Sequence, residues 1–285
     1  MSWKQSTTAG ILALVLLIPS GLPAAGQKSA AAPTAPGATR HVKNRAGEGF
    51  AQRLRADLAD IIRRPAHMSS HDWRRLGVGI AAVGATASLD TEIRSRVQRH
   101  RTSSSENLAT AVRPLGGWGA LAGLGVTWVA GRAGHSPGLV ATAEDGFEAS
   151  IIAAGLITPA LKNIVGRARP PEELGAGSVR PFSGRYAFPS GEATEAFAVA
   201  SVVAAHTRSR WLQGTVWGLA GLVGWERIEL DRHWTSDVVA GALIGAEVGR
   251  WVVRRRAEDR PRDVAVVVLP VVAAGALGVS GSVTW

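Results

Sequence analysis

The chain has 285 residues, a formal charge of +10 and no cysteine, which excludes disulfides, thiolate catalysis and Cys-based metal sites. Its positive excess is mostly Arg, without a zinc module or basic residues interleaved with aromatics. That points to an anionic small substrate or an anionic membrane surface as partner, and away from nucleic acid. Abundant Ala, Val, Gly and Leu favour close-packed helices over an aromatic-rich β-sandwich.

The first residues read as a secretory signal peptide, residues 1–26. Lys4 supplies the positive region, Ile11 to Ile18 the apolar run, and "GLPAAGQ" the small residues for cleavage near Ala25 or Gly26. An export route to the periplasm or cell envelope follows. Residues 27–48 are rich in Ala, Pro and charge without periodicity and read as a disordered linker.

The folded part is expected over 49–258. Phe50, Leu54, Leu58, Ile61 and Ile62 share one face of an amphipathic helix ended near Pro65, with Asp57 and Asp60 on the remaining surface. A second helix, capped by Ser69 or Ser70, runs towards Leu89. A polar helix, a Ser-rich turn and a helix stopped by Pro114 follow. Further apolar helices are predicted over roughly 115–131, 139–165, 193–207, 211–230 and 235–254. Charged residues such as Glu144, Asp145, Glu148 and Glu247 interrupt or bound these runs, which favours core helices of a soluble bundle over membrane spans. Residues 259–285 form a charged linker and two strands, "VAVVVLPVV" and "ALGVSGSVTW", predicted to make a hairpin closing against the bundle.

Three clusters carry chemistry. In "KNIVGRARPP", Lys162 and Arg169 would share one helical face if the helix carrying Lys162 continues, since seven residues make about two turns. "YAFPSGEATEAF" places a tight Pro189-Ser190-Gly191 turn at a helix N-terminus, which suits an oxyanion. In "ERIELDRHWTSD", His233 and Asp237 stand four apart, near enough to meet on a helical turn. Cations, backbone N–H groups and an oriented nucleophile are together what phosphoryl transfer requires.

Lys162–x6–Arg169–Pro170, Pro189–Ser190–Gly191 and Arg227–x5–His233–x3–Asp237, in that order, resemble the three-part signature of the type 2 phosphatidic acid phosphatase and vanadium haloperoxidase superfamily. "DRHWTSDVVAGALIG" is also similar to the family's run. The resemblance implies an all-α bundle of about six to eight helices. It implies that Lys162, Arg169, Ser190, Gly191 and Arg227 bind phosphate, and that His233 attacks phosphorus to form a phosphohistidine. Asp237 would orient and charge-stabilise the ring. No metal or other cofactor is implied, because fixed cations supply the positive charge.

The sequence departs from that pattern twice. Glu192 stands where the family has the His that protonates the leaving group, and Glu226 where it has Ser before Arg227. A carboxyl with a raised pKa can serve as general acid. An ionised one leaves only good leaving groups, such as pyrophosphates or aryl phosphates, within reach. The implied activity is hydrolysis of a phosphomonoester or pyrophosphate, with a lipid phosphate favoured. A catalytically impaired phosphate- or phospholipid-headgroup-binding pseudoenzyme, with Glu192 salt-bridged to Arg169 or Arg227, and a vanadium-dependent haloperoxidase are the alternatives. The remaining histidines, His206 among them, are assigned surface or capping roles.

Overall fold

The computed structural model describes residues 49–63 and 68–258 in full, and the backbone of 265–273 and 276–284. The expected signal peptide, the linker up to residue 48 and residues 259–264 lie outside the described residues.

Eight helices fold among the described residues: α1 Phe50–Arg63, α2 Ser70–His100, α3 Ser103–Val112, α4 Trp118–Ala133, α5 Pro137–Val165, α6 Gly191–His206, α7 Arg210–Glu229 and α8 Thr235–Glu258. The all-α architecture is as expected. After α8, Ala265–Ala273 pairs antiparallel with Ala276–Thr284, giving the expected two-stranded hairpin.

Local chemistry sets the boundaries. Ser69 and Asp72 form a reciprocal capping box at the start of α2, and Thr102 and Ser105 do the same for α3. The break expected after Leu89 does not occur. No Gly or Pro interrupts "DTEIRSRVQRH", so α2 continues to His100 and carries Asp90 into the interior. In α5 a π-helical turn, Ile151–Ile157, lies just ahead of Pro159. Pro lacks the N–H that α-helical pairing needs, and the wider turn accommodates its ring.

Helix α5 stops at Gly166, which adopts φ 59° and donates to the Lys162 carbonyl. A Cβ there would lie 1.8 Å from the Arg180 carbonyl oxygen, so only Gly fits. Arg169 therefore does not continue the face that carries Lys162, contrary to the conditional reading from spacing. It arrives from the loop after α5.

The core joins Ala149, Ile152 and Leu161 of α5 to Ala198 and Val202 of α6 and to Ile244, Val248 and Trp251 of α8. Leu54, Leu58 and Ile61 of α1 pack against it as their spacing predicts, but Ile62 is 72% exposed and Asp57 is buried. Gly241, Gly245 and Gly249 form a stripe along α8 against α6. A Cβ at these positions would come within 2.5, 2.1 and 2.6 Å of the carbonyl oxygens of Ser190, Thr194 and Ala198. This close approach brings the N-terminal ends of the two helices, and two of the three motifs, side by side.

His206 does not cap a surface turn. Its Nε2 lies 2.7 Å from Asp145, which is fully buried and also pairs with Arg256. Helices α2 and α5 are long and apolar enough to cross a membrane by length and composition. Helices α4 and α7 leave Trp118, Val126, Val129, Trp211 and Leu222 exposed.

Candidate active site

The three motifs meet at one end of the bundle. Lys162 comes from the last turn of α5, Ser190 caps α6, Arg227 lies in the last turn of α7, and Asp237 occupies the first turn of α8. His233 sits in the short connection between α7 and α8 and is buried.

The ring of His233 is fixed by a backbone carbonyl. Its Nδ1 lies 2.7 Å from the Ala187 oxygen, which can only accept, so Nδ1 carries the proton. In the neutral ring Nε2 then carries the lone pair, and it lies 3.8 Å from Glu192 Oε2. Asp237 was expected to hold the ring directly, yet its Oδ2 is 3.7 Å from Nδ1, beyond hydrogen-bond reach. The reason is prior commitment. Asp237 Oδ2 accepts from the Trp234 amide at 2.9 Å, and Oδ1 accepts from Arg167 at 2.6 Å. Asp237 thus stands beside the ring at ion-pair distance without a hydrogen bond to it.

Arg227 binds two carboxylates. Its Nη1 donates to Glu192 at 2.7 Å, while Nε and Nη2 fork onto Glu226. Glu226 is fully buried and Arg227 nearly so, whereas the Glu192 side chain is 40% exposed. Burial pushes the Glu192 carboxyl up, but Arg227, His233, its own backbone amide and Lys162 together hold it below the usual carboxylate range. Gly116 makes room for Glu192: a Cβ at Gly116 would lie 3.2 Å from the Glu192 Cβ.

Lys162 donates to the Tyr186 carbonyl at 2.5 Å, and its Cε lies 4.0 Å from the position of a Cβ on Gly191. Burial first, then the Arg169 guanidinium, lowers its ammonium to about 8, against the opposing pull of Glu192 and Asp237. Ser190 is fully buried. Its hydroxyl accepts from the Ala193 amide at 3.4 Å and its own amide donates to the Asp237 carbonyl at 3.0 Å. The hydroxyl is thus engaged in capping α6 and the amide in joining α6 to α8. Gly191 and Glu192 open the helix, where the first amides have no intrahelical acceptor.

Every predicted site residue thus comes to this end of the fold. Sequence reasoning missed three contributors. Arg167 was passed over beside Lys162 and Arg169, although it is the buried one, bonded to Asp90, Ser236 and Asp237. Asp90 stands far from the motifs, and a lone acid closing the apolar run "GIAAVGATASL" was its only signal. The Ala187 carbonyl has no side-chain signature at all. Glu226 was visible as a departure, but not its fork onto Arg227.

What the arrangement offers is an anion site already holding an anion. The Glu192 carboxylate rests on Arg227 at the helix N-terminus, 3.8 Å from His233 Nε2.

Comparison with known proteins gives the family. Residues 147–261 match the PAP2 superfamily. A lipid A 1-phosphatase of Rhizobium johnstonii is 30% identical over 225 residues, covering 68% of this chain and 86% of the relative. A lipid A 4'-phosphatase of Porphyromonas gingivalis is 30% identical over 69 residues, 24% of this chain and 29% of that protein. Among solved structures, Aquifex aeolicus LpxE aligns with TM-score 0.47 and 23% identity, over 58% of this chain and 95% of that one. A transmembrane PAP2-type phosphatidylglycerolphosphate phosphatase from Bacillus subtilis aligns with TM-score 0.48 and 19% identity, over 64% of this chain and 92% of that one. With its three motifs gathered at one end of a helical bundle and a relative at this identity over most of its length, the chain belongs to the PAP2 superfamily of phosphoric ester hydrolases.

Proposed function

We propose that this chain is a metal-independent phosphatase acting on a lipid phosphate, with a phosphohistidine formed at His233 and Glu192 as the proton donor. One observation carries the reading: Nδ1 of His233 is committed to the Ala187 carbonyl, which leaves Nε2, 3.8 Å from the Glu192 carboxylate, as the nitrogen available to attack. In the first step Nε2 bonds to phosphorus and the ester P–O bond breaks. The leaving oxygen takes a proton from Glu192. In the second step water attacks phosphorus, Glu192 takes its proton, the P–N bond breaks and phosphate leaves.

Substrate binding itself arms the acid. In the resting site Arg227 keeps Glu192 ionised. A phosphate dianion on Arg227 both displaces that partner and adds negative charge nearby, and each change raises the carboxyl pKa. A lipid substrate is supported by the named activities of the relatives. The exposed Trp118 and Trp211 further suit association with a membrane.

The Glu192–Arg227 pair also favours a second reading, a non-catalytic binder of phosphate or phospholipid headgroups in which the pair is permanent. Phosphate release from p-nitrophenyl phosphate by the full chain and by His233→Ala, from about pH 4 to pH 8, separates the two. Release that disappears in His233→Ala establishes catalysis. Release no faster than the variant at any pH sinks the phosphatase reading and leaves the binder.

A further inference from the structure

Beneath His233 lies a second layer of charge that the mechanism above does not use. Asp90 of α2 is fully buried and so is Ser236, while the Arg167 side chain is 7% exposed. Arg167 Nη2 donates to Asp90 Oδ2 at 2.7 Å, and Nη1 donates to Ser236 Oγ at 2.7 Å and to Asp237 Oδ1 at 2.6 Å. Asp90 also accepts from the Ser236 amide at 2.9 Å and from the Ser236 hydroxyl at 2.5 Å. The main chain of Arg167 takes part too. Its carbonyl accepts from the Ala187 amide at 3.1 Å, and the Ala187 carbonyl in turn holds His233 Nδ1.

We propose that Asp90 and Arg167 are positioning residues: they form a charge clamp under His233 that fixes Asp237 and the Ala187 carbonyl where the ring needs them. Through its backbone Arg167 sets the carbonyl that decides the tautomer. Through its side chain it holds Asp237 beside the ring without letting the two bond. Asp90 balances Arg167. Two carboxylates against one guanidinium leave a single net negative charge under the ring, and that charge is cancelled when the imidazole becomes cationic. Without Asp90 the guanidinium would neutralise Asp237 instead, and a cationic ring would lose its counter-charge. Asp90 touches no phosphate-binding group, so it acts only through these neighbours.

His233 is faced by Glu192 from α6, Asp237 from α8 and the Ala187 carbonyl, with Arg227 of α7 and Lys162 of α5 behind Glu192. The clamp therefore has its own signature against that background. The test uses the ¹⁵N-histidine-labelled full chain, with the His233 signal identified by its loss in His233→Ala. Asp90→Asn should lower the midpoint of the His233 ring titration by roughly half a unit or more, while Asp90→Glu stays near the unaltered protein. Turnover should fall about tenfold with KM within about twofold, because the loss is confined to the charged ring. Binding of inorganic phosphate at neutral pH should be unchanged.

The kinetic arm rests on the phosphatase reading, whereas the ring titration needs no turnover. An inactive protein whose midpoint still shifts would end that reading and leave the clamp standing. If Asp90→Asn does not fold, the double substitution Asp90→Asn with Arg167→Gln removes both charges and leaves Asp237 alone. Its midpoint should return to within about a quarter of a unit of the unaltered protein. A midpoint unmoved in Asp90→Asn, or lowered in the double variant, overturns the clamp.

Discussion

Replacing Glu192 by Gln should change affinity and turnover in opposite directions. The carboxylate sits 2.7 Å from Arg227 Nη1 and 3.8 Å from His233 Nε2, so on the proposed mechanism it occupies the volume a phosphoryl group must enter. Displacing it costs the ion pair. Two unit charges at about 4 Å and an effective dielectric near 20 attract by roughly 4 kcal/mol. The Glu192 side chain is 40% exposed, so solvent screening cuts that to about 1–2 kcal/mol. Glu192→Gln should therefore tighten inorganic phosphate binding by about tenfold, read as its inhibition constant or by calorimetry. As a proton donor Glu192 contributes roughly 10²–10⁴ in rate, so turnover of an alkyl phosphate should fall by that factor and of p-nitrophenyl phosphate by far less. The pH profile carries the same signature. The carboxyl of the free protein is held below the usual range, so kcat/KM should decline as pH rises through the acid region. The decline in kcat should lie at higher pH, because bound phosphate raises the same group. Neither limb should survive in Glu192→Gln. Tighter phosphate binding with unchanged turnover on both substrates would refute the donor role, and unchanged phosphate binding would refute the placement.

Three further outcomes follow from the geometry. Lys162 is lowered to about 8, so inorganic phosphate should bind more weakly as pH rises through that value, and Lys162→Gln should abolish the limb in a binding isotherm series. Arg227→Ala leaves Glu226 buried without its partner, which should cost about 3–5 kcal/mol in urea unfolding as well as phosphate binding. Gly245→Ala drives a Cβ to 2.1 Å from the Thr194 carbonyl oxygen. It should destabilise the fold by at least about 1–3 kcal/mol and lower activity by parting α8 from α6, with the denaturation midpoint as readout.

The helices and the three motifs were legible because both signals are local. Periodicity located the amphipathic face of α1, and the Ser69 cap announced α2. The errors lie where a distant partner decides. Asp57 sits on the polar side of its own helix by sequence, yet it is buried with Arg255 of α8 nearby. Asp90 reads as the start of a polar segment until Ser236 and Arg167, both far along the chain, are seen to meet it. Spacing placed Arg169 on the face of Lys162 because nothing in the spacing marks Gly166 as the end of α5. That glycine is required because its φ is 59° and the Arg180 carbonyl lies against it. The proximity of His233 and Asp237 followed from spacing, but the hydrogen-bond partner of the ring did not, since a backbone carbonyl leaves no trace in residue type.

The two departures from the superfamily pattern are, in the folded chain, one feature. Glu192 lies in the first turn of α6 and Glu226 in the last turn of α7, yet both carboxylates fall on the same guanidinium. Glu226 is buried and takes two donors of Arg227, so it fixes the plane of the fork and leaves Nη1 for whatever stands in front of His233. Its charge also weakens the hold of Arg227 on any anion at Nη1, whether carboxylate or phosphate. A loosely held Glu192 is one that substrate can displace and one whose proton affinity can climb, which is what a donor at this position needs. The substitutions should therefore be coupled. Glu192→His alone supplies the usual acid beside an Arg227 still half-neutralised by Glu226, and Glu226→Ser alone frees Arg227 to grip Glu192 more firmly and suppress turnover. The double variant should be faster than the two single effects combined, with a coupling of about 0.5–3 kcal/mol in kcat/KM for neighbours of this kind. Strict additivity in that cycle would show that the two glutamates act independently, and the account of Glu192 as a displaceable donor would lose its structural basis.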